Sequence, residues 1–230
     1  MAKNKLRRFE EMKTMKHVFE PSLDDVKNNG INFKGKWKDF FKNDHPITLE
    51  LGCGKGEYTV GLAVKYPDRN FIGVDIKGAR MWVGAGQAIE QGLSNVAFLR
   101  TKVDFIDHFF APGEVDEIWL TFSDPQPNKP RKRLTSRLFI QRYQRILNPE
   151  GFINLKTDSD VLFESTEEEI NTYNYPTEVL SWDIYNEMDK LPEELKDVLP
   201  IKTHYEQLFT EKGHVIKFTQ FKIFTDGKKI

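Results

Sequence analysis

From Ile47 onward, short runs of apolar residues alternate with longer stretches whose apolar positions recur at helical spacing. Residues 47–50 predict a strand that opens into Gly-Cys-Gly-Lys-Gly, and residues 57–65 predict the helix after it, closed by Pro67. A second buried strand, over 70–75, ends in an acid. A helix over 79–91 stops at Gly92, and a third strand covers 96–100. Residues 117–122 and 151–156 predict a fourth and a fifth strand, with a helix over 137–147 between them that ends before Pro149. Strands that alternate with helices imply βαβ units, hence an α/β fold with a mostly parallel sheet covered by helices on both faces. Residues 214–225 differ. Their apolar and polar positions alternate, as in an antiparallel strand with one wetter face, and they can pair with a strand near 178–183 to finish the sheet. Residues 1–40 carry many charges and little periodicity, so an arm with one or two short helices is expected, followed by a single domain over 41–230.

A chain of 230 residues suits one hydrophobic core. Its 34 Lys and Arg nearly cancel its 35 Asp and Glu, leaving −1, so any nucleic-acid footprint must be local. No uncharged apolar run is long enough to span a membrane, and the N-terminus lacks the apolar centre of a secretory signal. A cytoplasmic protein is expected. Cys53 is the single cysteine, which excludes an internal disulfide framework, and the five histidines lack metal-ligand spacing. No metal is expected.

Gly52, Gly54 and Gly56 stand between a strand and a helix, where glycine lets the backbone turn sharply and approach a ligand. Alone, such a turn needs no ligand. The spacing also departs from the dinucleotide pattern G-x-G-x-x-G, and Glu50 immediately before the loop would repel a pyrophosphate but favour a cation. Asp75 ends the second strand, where a carboxylate can accept from both ribose hydroxyls, and Asp104 follows the third, within reach of a purine's exocyclic amine. Singly, each acid is better explained by a helix cap or a solvated surface role than by ligand binding. Together with the loop they suit a cationic nucleoside of the kind S-adenosylmethionine is, and residues 50–56 with Asp75 resemble the cofactor site of class I methyltransferases.

The fourth strand runs into Thr-Phe-Ser-Asp-Pro-Gln-Pro-Asn-Lys-Pro-Arg-Lys-Arg, residues 121–133. In a doubly wound sheet this position borders the ligand crevice, so Asp124 is expected beside the reacting centre on a proline-stiffened loop. Lys129, Arg131, Lys132, Arg133 and Arg137 form a basic cluster next to it. A charged run is ordinarily a solvated turn, but beside a crevice it points to a polyanion, RNA.

The chain resembles the tRNA (guanine-N7-)-methyltransferase family of bacterial type, through residues 50–56, Asp75-Ile-Lys77, Phe122-Ser-Asp-Pro125 with its basic continuation, Leu155-Lys-Thr-Asp158 and Thr203-His-Tyr-Glu206. The resemblance implies a Rossmann-like class I fold and methylation of guanosine N7 at position 46 of the tRNA variable loop. It implies that Glu50, Gly52, Gly54, Gly56, Asp75, Asp104 and Asp124 bind S-adenosylmethionine. It further implies that Asp158 and Thr203, His204, Tyr205 and Glu206 contact the target nucleotide. Ser123, Gln126 and Asn128 replace the family's usual proline, tryptophan and lysine, so phosphate contact shifts from Asn128 toward Lys129 or Arg131. Guanine N7 carries an in-plane lone pair and needs no base. Asp124 is therefore expected to hold the target where positive charge appears, with Asp158 or Glu206 accepting from the guanine Watson–Crick edge and Tyr205 stacking on the base. Methylation of another substrate and a non-catalytic RNA-binding module are the competing readings, and a monomer or a homodimer is expected.

Overall fold

The computed structural model describes residues 2–27 and 33–224. In chain order its elements are helix α1 (Ala2–Met12), strand β1 (Val18–Phe19), helices α2 (Leu23–Lys27) and α3 (Trp37–Phe41), strand β2 (Ile47–Leu51) and helix α4 (Glu57–Lys65). Next come β3 (Asn70–Asp75), α5 (Gly78–Glu90), β4 (Val96–Arg100), β5 (Val115–Thr121), α6 (Arg137–Tyr143) and β6 (Leu147–Thr157). The chain continues through α7 (Asp160–Tyr173), β7 (Thr177–Ser181), α8 (Glu193–Val198), α9 (His204–Glu211) and β8 (Lys217–Phe221).

Every residue of β2 is buried: Ile47, Leu49 and Leu51 on one face, Thr48 and Glu50 on the other. A strand sealed on both faces belongs at the centre of a sheet. The order is β1-β4-β3-β2-β5-β6-β8-β7, parallel throughout except for β8, which runs antiparallel to β6 and β7. From β2 the chain builds outward through β3 and β4, then returns to lay β5 and β6 on the other side. The order therefore reverses between β2 and β5, and the carboxyl ends of those two strands are where an open α/β sheet accepts a ligand. One core packs Leu49, Ile72, Ile118 and Leu155 against Phe139, Tyr143 and Phe163 of α6 and α7. The other packs Phe98, Trp119 and Phe218 against Tyr58, Leu62, Met81 and Ala85 of α4 and α5.

The predicted elements at 57–65, 70–75 and 96–100 have the observed bounds, and the antiparallel partner near 178–183 is β7. Of the C-terminal strand predicted over 214–225, Lys217–Phe221 is strand, and Thr225 lies outside the described residues. The helix predicted over 137–147 is shorter: α6 ends at Tyr143, and Leu147 already pairs with Val115 at the start of β6. The fourth strand ends at Thr121, because Phe122 turns into the left-handed region at φ 48°, with its N–H donating to Lys156 O.

Within the stretch 1–40 the structure places three helices and a strand; Met1 and residues 28–32 lie outside the described residues. Val18–Phe19 joins the sheet edge parallel to β4. Met12 is sealed against α5, where Arg8 donates to Ala79 O and Trp82 to Glu11. Trp37, also sealed, donates its indole N–H to Phe109 O and stacks on Phe110 at 5.4 Å. Among the described residues, no helix is long and apolar enough to cross a membrane.

Candidate active site

The β2–α4 turn is tight because Gly52 and Cys53 both donate their N–H to Val74 O, at 2.7 and 3.0 Å. Gly52, Gly54 and Gly56 take φ of 82°, 57° and 73°, a region costly for any residue with a Cβ. Their surroundings differ. A Cβ on Gly54 would meet nothing within 4 Å, whereas one on Gly56 would lie 2.7 Å from the Phe98 ring. Gly54 thus faces open space, and Gly56 is a packing glycine that lets α4 approach the sheet. Asp75 closes the turn from β3, with one oxygen accepting from Gly54 N (2.9 Å) and the other from Lys77 N (2.7 Å).

Glu50 is only 3% exposed. One carboxylate oxygen accepts from both Thr59 N (2.8 Å) and the Thr59 hydroxyl, and the other accepts from the Thr121 hydroxyl. Burial pushes its carboxyl up to about 7, against the pull of the hydrogen bonds from Thr121 and Thr59. An acid poised there ionises readily when a cation arrives.

Asp104, in the short 3-10 helix Val103–His108 after β4, is half-buried. Burial works to raise its carboxyl, but the Lys132 ammonium, hydrogen-bonded at 2.9 Å, and the nearby Arg142 hold it below the usual carboxylate range. Asp124 is exposed at the end of β5, with one oxygen accepting from Gln126 N at 3.0 Å. Gln126 itself is left-handed at φ 46°.

The basic cluster divides on inspection. Arg133 is 8% exposed and donates to Pro125 O, so it braces the loop from within. Arg137 lies over the Tyr173 ring and donates to the Tyr175 hydroxyl, and Lys132 is paired with Asp104. Lys129 and Arg131 are exposed.

A cleft of about 820 Å³ opens at the carboxyl ends of β2 and β5. It gathers Glu50, Gly52, Gly54, Asp75, Asp104 and Asp124 together with Lys129, Lys132, Asp158, Thr203, His204 and Tyr205. Gly56, Asn128, Arg131, Arg133 and Glu206 do not line it. The departure of Glu206 is the sharpest. It is wholly buried, paired with the equally buried Lys156 at 2.8 Å, and accepts from the Tyr185 hydroxyl, so it presents no oxygen to a guanine edge. A larger cavity, about 1010 Å³, opens elsewhere, beside Asp116, Asn148 and Glu194, and contains none of the candidate residues.

The structure also brings to the site residues with no role assigned from sequence, Phe122 and Lys77 among them although both lie in the quoted motifs. Thr59 and Thr121 hold Glu50, and Phe122 and Phe209 stack at 6.4 Å, with Tyr205 stacked on Phe209 at 6.2 Å, as an aromatic wall. Exposed Lys77, Arg80 and Lys102 form a second cationic rim, and Arg80 reaches over the Tyr205 ring at 5.7 Å. The only advance signal for these was position: a threonine ending a strand, and cations just after strands that end at the cleft. Among the described residues, no three His, Cys, Asp or Glu side chains are grouped to hold a metal ion.

A family model described as "Putative methyltransferase" matches residues 44–219. A tRNA (guanine-N(7)-)-methyltransferase of Bacteroides thetaiotaomicron is 50% identical over 228 residues, covering 99% of this chain and 88% of the relative. Another, from Bacteroides fragilis, is 51% identical over 229 residues, covering 99% and 89%. Among solved structures, the 16S rRNA methyltransferase KamB matches 83% of this chain and 93% of its own with a TM-score of 0.61 at 12% identity, a likeness of fold.

Proposed function

Because the chain belongs to the tRNA (guanine-N(7)-)-methyltransferase family, we propose that it transfers a methyl group from S-adenosylmethionine to N7 of a guanosine in cytoplasmic tRNA, at position 46 of the variable loop. The observation that carries this reading is the cleft itself: carboxylates and an open glycine backbone inside, exposed cations at the mouth. The fit to the cofactor rests on that donor set. Gly54 leaves room at the turn, Asp75 suits the ribose diol, and Asp104 suits the adenine amine. Glu50 and Asp124 suit the cationic end. Bound there, the cofactor supplies an electrophilic methyl group on a sulfonium sulfur.

The protein's own part is orientation and charge. Guanine N7 needs no deprotonation, so aligning it and excluding water can be worth roughly 7–11 kcal/mol in favourable cases. The Tyr205–Phe209–Phe122 wall gives the target base a flat apolar surface to stack on. Asp158, on the cleft wall, accepts from the guanine N1–H and amino group; Glu206, sealed inside, does not. Asp124 stabilises the positive charge that methylation delivers to the purine. Lys129 and Arg131 on one side, and Lys77, Arg80 and Lys102 on the other, neutralise phosphates of a tRNA strand laid across the mouth.

The test is incubation with unmodified tRNA and labelled cofactor, followed by mapping of base-labile 7-methylguanosine by chain cleavage. Cleavage at position 46 is expected. Label in protein or in small molecules, with none in tRNA, would overturn the reading.

A further inference from the structure

Helix α9 carries Tyr205 and Phe209 into the cleft wall, and its apolar side chains Tyr205, Leu208 and Phe209 stay exposed or half-buried: its one buried residue is Glu206. An amphipathic helix is ordinarily held by an apolar stripe. Here the attachment is ionic. The Lys156 ammonium, on β6 and wholly buried, meets the Glu206 carboxylate at 2.8 Å and also donates to Leu199 O at 2.6 Å and Ile201 O at 3.3 Å. The ammonium is 2.8 Å from both Glu206 oxygens, Oε1 also accepts from the Tyr185 hydroxyl, and Thr203 caps α9 by accepting from Glu206 N at 3.1 Å. A single strand position thus grips both the extended approach to α9 and the helix itself. Two residues further along the same strand direction lies Asp158, on the cleft wall.

A buried ion pair is generally no more stabilising than well-packed apolar residues of the same size, so what this pair contributes lies in the geometry it fixes, with contacts joining β6 to α9 and its approach. We propose that Lys156 and Glu206 are positioning residues: their pairing sets the register of α9, and through it the aromatic wall over the reacting centre, while neither touches the nucleotide. This rests on the methyltransferase reading above, and it removes Glu206 from the set of groups that contact the base.

The test compares Lys156→Met, Glu206→Leu, the double variant and Glu206→Gln in the full chain. It measures thermal unfolding, cofactor affinity, kcat/KM for tRNA and hydrogen–deuterium exchange of amides 204–211. Each single variant leaves one buried charge unpaired and is expected to melt lower, whereas the double variant should recover much of that loss. Its cofactor affinity should stay within about twofold of wild type, while kcat/KM falls at least about thirtyfold and no further than in the worse single variant, as residues acting as one unit require. Amides 204–211 should exchange at least about tenfold faster than in wild type, with β5 and β6 unchanged. A double variant with wild-type kcat/KM would make the pair merely structural. Losses that multiply in the double variant, with α9 exchange unchanged, would mean that Glu206 contacts the nucleotide directly. Should the double variant not fold, Glu206→Gln decides through α9 exchange: unchanged protection overturns the proposal. That exchange readout needs no substrate, so it stands even if wild type forms no 7-methylguanosine.

Discussion

Replacing Glu50 by Gln should make the protein more stable and a poorer binder of its cofactor. The side chain keeps its size. Its carbonyl can still accept from Thr59, and its amide can donate to Thr121, whose hydroxyl can turn to accept. What disappears is the cost of a buried charge. The Glu50 carboxyl, raised from 4.5 to about 7 chiefly by burial, keeps its proton in the folded chain while the unfolded chain loses it. Between those pH values the unfolded state binds fewer protons, so this group's contribution to stability falls as pH rises and levels off above about 7. At about 1.4 kcal/mol per pH unit, the full loss is about 3 kcal/mol. Urea unfolding at pH 5 and pH 8 should therefore show the stability of Glu50→Gln relative to wild type rising by about 2–3 kcal/mol between the two. Titration calorimetry should show wild-type affinity for S-adenosylmethionine falling by up to about tenfold per pH unit below 7, as the carboxylate protonates, and a weak, flatter profile in the variant. Parallel stability profiles would refute the buried-charge argument, and equal affinities would remove Glu50 from the ligand.

The two glycines should separate packing from binding. Gly56→Ala drives a Cβ into Phe98 at positive φ and should cost at least about 1–3 kcal/mol in urea unfolding, whereas Gly54→Ala pays only the backbone strain, about 1–2 kcal/mol, yet should weaken cofactor binding measured by calorimetry. Neutralising Lys129 and Arg131 together should lower the log–log salt slope of tRNA binding by about 1.4–1.8, with cofactor affinity unchanged; an unaltered slope would make them a solvated turn. Asp124→Asn should lower the single-turnover rate more than tRNA affinity, and imidazole should not rescue it, because N7 has no proton to give up.

What the sequence revealed follows from burial. Strands sealed on both faces, such as β3 and β4, read as unbroken apolar runs and gave up their bounds directly. The glycine loop and the acids that end their strands were legible for the same reason, since strand ends fix what a sheet presents to a ligand. The two-residue strand β1 was not, because two residues are too few for a period to show. The burial of Glu206 was hidden for a different reason: the apolar positions of its helix, Tyr205, Leu208 and Phe209, recur at i, i+3 and i+4 and point to another face as the inward one, yet that stripe turns to the cleft and Glu206 to the core. The signal lay elsewhere, in Lys156, a lone cation in the buried C-terminal half of β6, which requires a counter-charge that sequence alone could not locate. The basic cluster was legible as charge but not as free charge, since Arg133, Arg137 and Lys132 are each engaged within the fold.

Delivery of a methyl group to guanine N7 needs that atom's lone pair, which a tRNA ligated with 7-deazaguanosine at position 46 lacks, a C–H standing in place of the nitrogen. This tRNA should compete with the unsubstituted one for binding yet take up no methyl group from labelled cofactor under conditions that modify the unsubstituted tRNA fully. Incorporation at the ordinary rate would contradict delivery to N7.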